Sequence, residues 1–284
     1  MARIIITAET GCDLPLDVAR ELGVELVPMH VSIGEKTVDD GEISAAEMLE
    51  ECRGLGVLPR TSGCTPRDFA KVFSRIRERE PEASILHLAY SAVTTCSYES
   101  ACVAAEGLDN IELFDTEQVT IGQGFVVSGV AAWLREHPEA RLSEALSFAR
   151  DLARRTKMSF IPGDLGYLRA GGRLSNAAFV GATLLRIKPV VEIVDGRLVA
   201  TKKLRGKMDK AAINLVDMML AGEDPDYSRA FLVRATGLPD PVQRVAEARV
   251  REHGFQEVTW YNTGNVITAH GGPGAFGLAF ARKA

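Results

Sequence analysis

The chain has 284 residues, 46% of them hydrophobic and 25% charged, with a formal net charge of −5 and a pI of about 5.7. That length can bury a large core and suggests two domains, while the acidic balance argues against nonspecific nucleic-acid binding. No apolar run is long enough for a membrane-spanning helix or a secretory signal, and five cysteines without a C-x-x-C pair indicate neither a disulfide frame nor a zinc site. A cytoplasmic location is expected, with Cys12, Cys52, Cys64, Cys96 and Cys102 as buried or half-buried thiols.

Arg3–Thr7 reads as a buried strand, Asp13 as the cap of a helix ending at Leu22 before Gly23, and Val24–Ile33 as a β-branched strand. Ser44-Ala-Ala-Glu47 is a capping box, and Thr65-Pro66 sets a cap and an N1 proline before a helix to about Arg77. Strands at Ser84–Tyr90 and Ile111–Asp115 alternate with helices from Ser97 and from Gly122 to Glu136. Such alternation predicts a mostly parallel sheet covered on both faces. Arg141–Thr156 reads as a helix and Lys157–Ile161 as extended. Ile187–Val194 and Leu198–Lys203 flank Asp195-Gly196, a hairpin signal. A helix from Lys207 to Leu220 follows, then strands at Phe231–Ala235 and Val258–Tyr261 around a helix near Val242–His253. Val266–His270, a glycine turn and Ala275–Ala281 close the chain. The predicted fold is α/β with two domains: a mostly parallel α/β sheet domain over 1–160 and an α+β domain over 161–284 with a mixed or antiparallel sheet.

Four segments carry candidate chemistry. Pro59-Arg-Thr-Ser-Gly-Cys-Thr-Pro66 gathers hydroxyls and free N–H groups at a helix start, which suits a carboxylate or phosphate, although Thr65 also caps that helix. Ser91-Ala-Val-Thr-Thr-Cys-Ser-Tyr-Glu-Ser100 follows a strand, where open α/β sheets place their ligands. Two such loops can converge on one anion with neutral donors and no buried counter-charge. In Gly166-Tyr-Leu-Arg-Ala-Gly-Gly-Arg173, the glycines allow unusual backbone angles before an arginine able to grip a planar anion, or one that simply follows a turn. His270-Gly-Gly-Pro-Gly-Ala-Phe-Gly277 contains G-x-G-x-x-G, but no βαβ unit follows it, which excludes a dinucleotide site. His270, read as following a strand, is either a donor to an acyl or phosphate oxygen or a structural histidine. Asp39, Asp40 and Glu42 form an acidic stretch before a helix, read as a solvated turn over a metal site. Between Arg169 and Lys210, ten Lys/Arg against three Asp/Glu mark a basic surface for an anionic partner, or a solvated face. No catalytic motif is present, and no cofactor or metal is expected.

Taken in order, these segments resemble the DegV family over nearly the whole chain. Ala8-Glu-Thr-Gly-Cys-Asp-Leu14 sits where the family opens with T-D-S-x-x-D-L, and Arg60–Pro66 is similar to its K-T-S-Q-P-S-P segment. Ser91–Ala101 resembles S-S-x-L-S-G-T-Y-Q-S-A, and Asp115–Gly124 the D-S…G-x-G segment. Tyr167–Arg173 and Ile187-Lys-Pro189 match its Y-L-x-x-G-G-R and I-K-P pair, and His270–Gly274 resembles its closing H-x-G-P-G. The resemblance implies a fatty-acid-binding protein of FakB type with a long-chain acid (palmitate, stearate or oleate) between two domains. It implies a carrier and not an enzyme, presenting the carboxylate to a separate fatty acid kinase for phospholipid metabolism. It places Thr61 and Thr95 on the carboxylate, Ser62 beside them, and Arg173 and His270 near the head group. Glu9-Thr10, Gly63-Cys64 and Cys96 depart from the family pattern. Phe125–Val130 and Phe179–Leu185 are expected to line the acyl tunnel, and a monomer is expected. The alternatives are an acyl-ester hydrolase or acyltransferase using Thr95 or Ser62 with His270, and an interaction module docking through Arg169–Lys210.

Overall fold

A computed structural model describes residues 3–172 and 187–284. In chain order the first part runs β1 (Ile4–Glu9), α1 (Leu16–Leu22), β2 (Val24–Val27), β3 (His30–Ile33), β4 (Lys36–Asp39), α2 (Ala45–Leu55), β5 (Arg60–Ser62), α3 (Pro66–Arg79), β6 (Ser84–Ala89), α4 (Ser97–Ala105), β7 (Ile111–Asp115), α5 (Thr120–Glu136) and α6 (Leu142–Arg155). It continues with β8 (Thr156–Ile161), α7 (Leu165–Ala170), β9 (Ile187–Val194), β10 (Arg197–Arg205), α8 (Met208–Leu220), β11 (Arg229–Arg234), α9 (Asp240–Glu252), β12 (Glu257–Asn262), α10 (Asn265–Gly271) and β13 (Phe276–Ala281).

The fold is α/β. Strands β2-β1-β6-β7 form a parallel four-stranded sheet, β4-β3-β5 a small antiparallel sheet, and β10-β9-β8-β13-β11-β12 a mixed six-stranded sheet whose one parallel pair is β11 with β12. Alternation along β1 sends Ile6 and Ala8 toward α5 and α6, and Ile5 toward α3 and the small sheet. Helices α8 and α9 cover one face of the six-stranded sheet. Helix α5 is buried without a break from Thr120 to Ala131, because Val126, Val127 and Val130 meet the four-stranded sheet while Ile121 and Phe125 meet β8, β11 and β13. A helix apolar on all sides is a core helix. The passage from one sheet to the other comes with β8, whose residues run across position 160.

The parallel sheet, the Ser44–Glu47 capping box, the Thr65 cap with its N1 proline and the hairpin stand as expected. Asp195 and Gly196 both have positive φ (50° and 72°), as a two-residue type I′ turn requires. Other expectations change. Val24–Ile33 is two strands in two sheets, since Pro28 has no N–H to continue a ladder. Asp13 does not cap α1; it closes a 3₁₀ turn over Thr10–Cys12 with φ 56°, and Pro15 precedes the helix. Val266–His270, expected as a strand, lies within helix α10. Cys96 and Cys102 are exposed, whereas Cys12, Cys52 and Cys64 are buried.

At α3, Thr65 Oγ1 accepts the Asp68 N–H and Asp68 returns a carboxylate oxygen to the Thr65 N–H. Thr65→Ala should therefore lower stability by about 1 kcal/mol, measured as a shift in the urea midpoint at unchanged slope.

Candidate functional site

A cavity of about 620 Å³ lies in the seam between the six-stranded sheet and the two sheets of the first half. One end is polar, with Thr61, Ser62, Thr94, Thr95 and His270; the walls beyond it are Met158, Phe160, Leu198, Val233 and Phe276. The volume falls within the range of small-molecule pockets, which are apolar with a few convergent polar groups.

Each polar residue is held by a different element. Thr61 sits on β5 opposite Val31 of β3. Thr95 ends the β6–α4 loop, where its Oγ1 lies 3.0 Å from Ser97 Oγ, and Ser97 Oγ accepts the Cys64 N–H at 3.0 Å. The two hydroxyl loops thus touch directly. A Cβ on Gly63 would fall 2.6 Å from both Thr95 Oγ1 and Ser97 Oγ, so only glycine lets them approach this closely. Ser97 is the link that sequence reasoning missed; its signal was the second hydroxyl of Thr95-x-Ser97 at a helix start.

His270 comes from the other half of the chain. It lies in the last turn of α10, not after a strand, with Nε2 2.8 Å from Thr61 Oγ1. A Cβ on Gly171 would fall 2.1 Å from His270 Nδ1. Gly171 has ordinary helical angles, contrary to expectation, and its missing side chain is what admits the imidazole; Gly172 (φ 71°) makes the turn. Ser62 is exposed at the rim. Arg173 and Phe179–Leu185 lie outside the described residues. Phe125–Val130 does not line the cavity: Phe125 stacks edge-on against Phe231 at 5.0 Å, and Val119 and Thr120 at the start of α5 form the wall instead.

Beneath this end, the fully buried Glu9 accepts the N–H of Tyr90 and the Gln123 amide, each at 2.8 Å, and faces the buried His87. Burial alone would raise its carboxyl, but His87 and the N–H donors outweigh that and hold it below its usual range. Tyr90, a cavity wall, is fixed by this contact. Ser91 donates to the Gly196 carbonyl at 2.7 Å, seating the β9–β10 hairpin that carries Leu198. Asp40, read as part of a solvated turn, is buried; among the described residues no group of three or more His, Cys, Asp or Glu is placed to hold a metal ion. The expected basic surface includes Arg197, Lys202, Lys203 and Arg205, exposed on β10 at the edge of its sheet.

An α/β fold whose sheets enclose an apolar cavity with hydroxyls at its head has the geometry of a small-molecule-binding protein. The model of a family described as "Uncharacterised protein, DegV family" matches residues 3–283, and the chain belongs to the DegV family. A DegV domain-containing protein of Halalkalibacterium halodurans is 29% identical over 99% of both chains. The structure of a DegV family protein from Thermus thermophilus, described by its fatty acid binding, is 30% identical and superposes with a TM-score of 0.88 over 99% of this chain and 100% of that one. The Fak B3 protein of Streptococcus pneumoniae, loaded with linoleic acid, shares the fold at 17% identity, with a TM-score of 0.84 over 100% of both chains.

Two predictions follow from the geometry. Gly63→Ala should cost about 1–3 kcal/mol through overpacking and shift the amide NMR signals of Thr95 and Ser97. Burial lifts the Asp13 carboxyl well above its usual range against the bonds from Thr120 and Gly264, and the nearby Asp40 charge adds to the rise. Native Asp13 therefore keeps its proton to higher pH than the unfolded chain, and its contribution to stability declines as pH rises from about 3.9 through the raised value. Asp13→Asn removes that decline, so its urea midpoint should fall less than that of the parent as pH rises.

Proposed function

We propose that the chain binds a long-chain fatty acid in this cavity, carboxylate at the hydroxyl end, and presents the head group to a separate fatty acid kinase. The observation that carries the reading is the continuity of the Thr61–Thr95–His270 end with the apolar walls of Met158, Phe160 and Val233. Among the described lining residues there is no Lys or Arg, and the one acidic residue, Glu99, is exposed; the donors at the hydroxyl end are neutral, which avoids the desolvation cost of a buried counter-charge. Thr61 and Thr95 hydrogen-bond the carboxylate. His270 orients Thr61 and supplies a further donor, Ser62 guards the rim, and Arg173 serves the phosphorylated form.

About a dozen buried methylenes at about 0.8 kcal/mol each contribute roughly 10 kcal/mol gross, from which ordering costs are subtracted. Such a gain suits a carrier that shields an insoluble chain and exposes only its head. The fatty acid binding of the Thermus thermophilus relative and the linoleic acid in the Streptococcus pneumoniae protein support the ligand class. No helix among the described residues is long and apolar enough to cross a membrane, in keeping with a cytoplasmic carrier, which we place as a monomer of two units meeting near residue 160.

Native mass spectrometry with solvent extraction tests the reading. A stoichiometric C16–C18 acid should copurify, and Thr61→Ala/Thr95→Ala should weaken its binding by at least about tenfold, each lost bond to a charged group being worth roughly 1.5–3 kcal/mol. A ligand-free mass that persists after incubation with palmitate, stearate and oleate would sink it. Ester turnover lost on His270→Ala would favour a hydrolase instead.

A further inference from the structure

In the acidic stretch at the end of β4, Asp39 and Glu42 are exposed as a solvated turn would have them, but Asp40 is not. Asp40 is 7% exposed, and its Oδ1 accepts the N–H groups of Asn265 at 2.7 Å and Val266 at 3.3 Å. Those N–H groups open α10, where no residue within the helix can accept them. Asp13 supports the same end, taking the Gly264 N–H at 2.7 Å and the Thr120 hydroxyl.

The small sheet explains why this matters for the site. Its order is β4-β3-β5, with Val31 of β3 paired to Val38 on one side and Thr61 on the other. Asp40 directly follows β4, and its N–H is bonded to the Met29 carbonyl just before β3. One edge strand thus leads to the carboxylate that holds the first turn of α10, and the other carries the hydroxyl that meets His270 in its last turn. Two strand spacings measure about 10 Å, comparable to the rise of about 8 Å from Asn265 to His270. Between these ends Val266 and Ile267 pack into the core beneath the same sheet. The helix packs on β3 and β5 and is bonded at both ends, by the residue that follows β4 and by Thr61 of β5.

From this arrangement we infer that Asp40 is a positioning residue: by fixing the first turn of α10 it sets where the His270 imidazole falls against Thr61, and so tunes retention of the carboxylate ligand. The inference rests on the fatty-acid reading of the cavity for its ligand and on hydrogen-bond geometry for its mechanism. Asp13 holds the neighbouring N–H but belongs to a different loop, so the connection to the strand that carries Thr61 runs through Asp40.

The test is a double-mutant cycle on oleate affinity, with stability measured in parallel. Asp40→Ala should weaken binding about tenfold. Asp40→Asn, which keeps an oxygen for both N–H groups, should restore most of that. In a His270→Ala background, Asp40→Ala should add less than about twofold, because its effect passes through the imidazole. Equal losses in both backgrounds, or no loss in either, would overturn the inference. Asp40→Glu retains the carboxylate on a longer stem and keeps the experiment decisive if the alanine variant does not fold; it should move the ring carbon and nitrogen NMR signals of His270, and unchanged ring signals count against positioning. If the parent protein binds no fatty acid, the reading of the cavity fails, and the ring signals alone then decide whether Asp40 positions His270.

Discussion

The structure depends on a single buried helix. Two sheets, each apolar on the face it turns inward, must both be covered, and α5 covers both at once: Val126, Val127 and Val130 serve one, Ile121 and Phe125 the other. The helix has finite length, and the seam does not close where it begins. Val119 and Thr120 form a wall of the cavity there. The cavity is thus a consequence of how the two sheets are joined, with Met158 and Phe160 of β8 and Val233 of β11 continuing the packed surface into open space.

The polar chemistry gathers at one end of that seam for an electrostatic reason. An apolar cavity tolerates polar groups only where each finds a partner. The Thr61–His270, Thr95–Ser97 and Ser97–Cys64 contacts supply those partners across two loops, a strand and two helices from both halves of the chain. Below them Glu9 and His87 form a second, fully buried layer, in which Glu9 accepts from Tyr90 and Gln123 and so fixes the wall. The buried Glu9–His87 pair lies behind the cavity wall, and the polar groups that line the cavity beside Thr61 are hydroxyls and an imidazole, with Glu99 the one charged residue among the described lining. That distribution suits binding a carboxylate and then letting it go.

Much of the fold was legible in the sequence because its signals are local. Asp195-Gly196 marked the hairpin because few residue pairs adopt two positive φ values in succession. Ser44 and Thr65 marked their helices because capping is settled within four residues. What failed was also physical. Val266–His270 looked like a strand because its apolar run is short, and periodicity cannot separate a short buried strand from a short buried helix. The first N–H groups of that helix are accepted by Asp40, more than two hundred residues earlier. Asp13 and Asp40 read as a cap and a solvated turn, since nothing nearby in sequence reveals that α10 lies against them.

The sequence by itself determined the order of strands and helices, the hydroxyl loops at Thr61 and Thr95, and the likeness to the DegV family, because turn chemistry, capping and motif order are properties of neighbouring residues. Only the tertiary structure decided which of those groups meet. It placed His270 on Thr61, gave Ser97 its linking role, drew the cavity wall from Val119 and Thr120 in place of Phe125–Val130, and used Gly171 for the space it leaves beside an imidazole. Those outcomes turn on distances between residues far apart in the chain, which depend on how the two sheets pack about one helix and leave no mark in any short stretch of sequence.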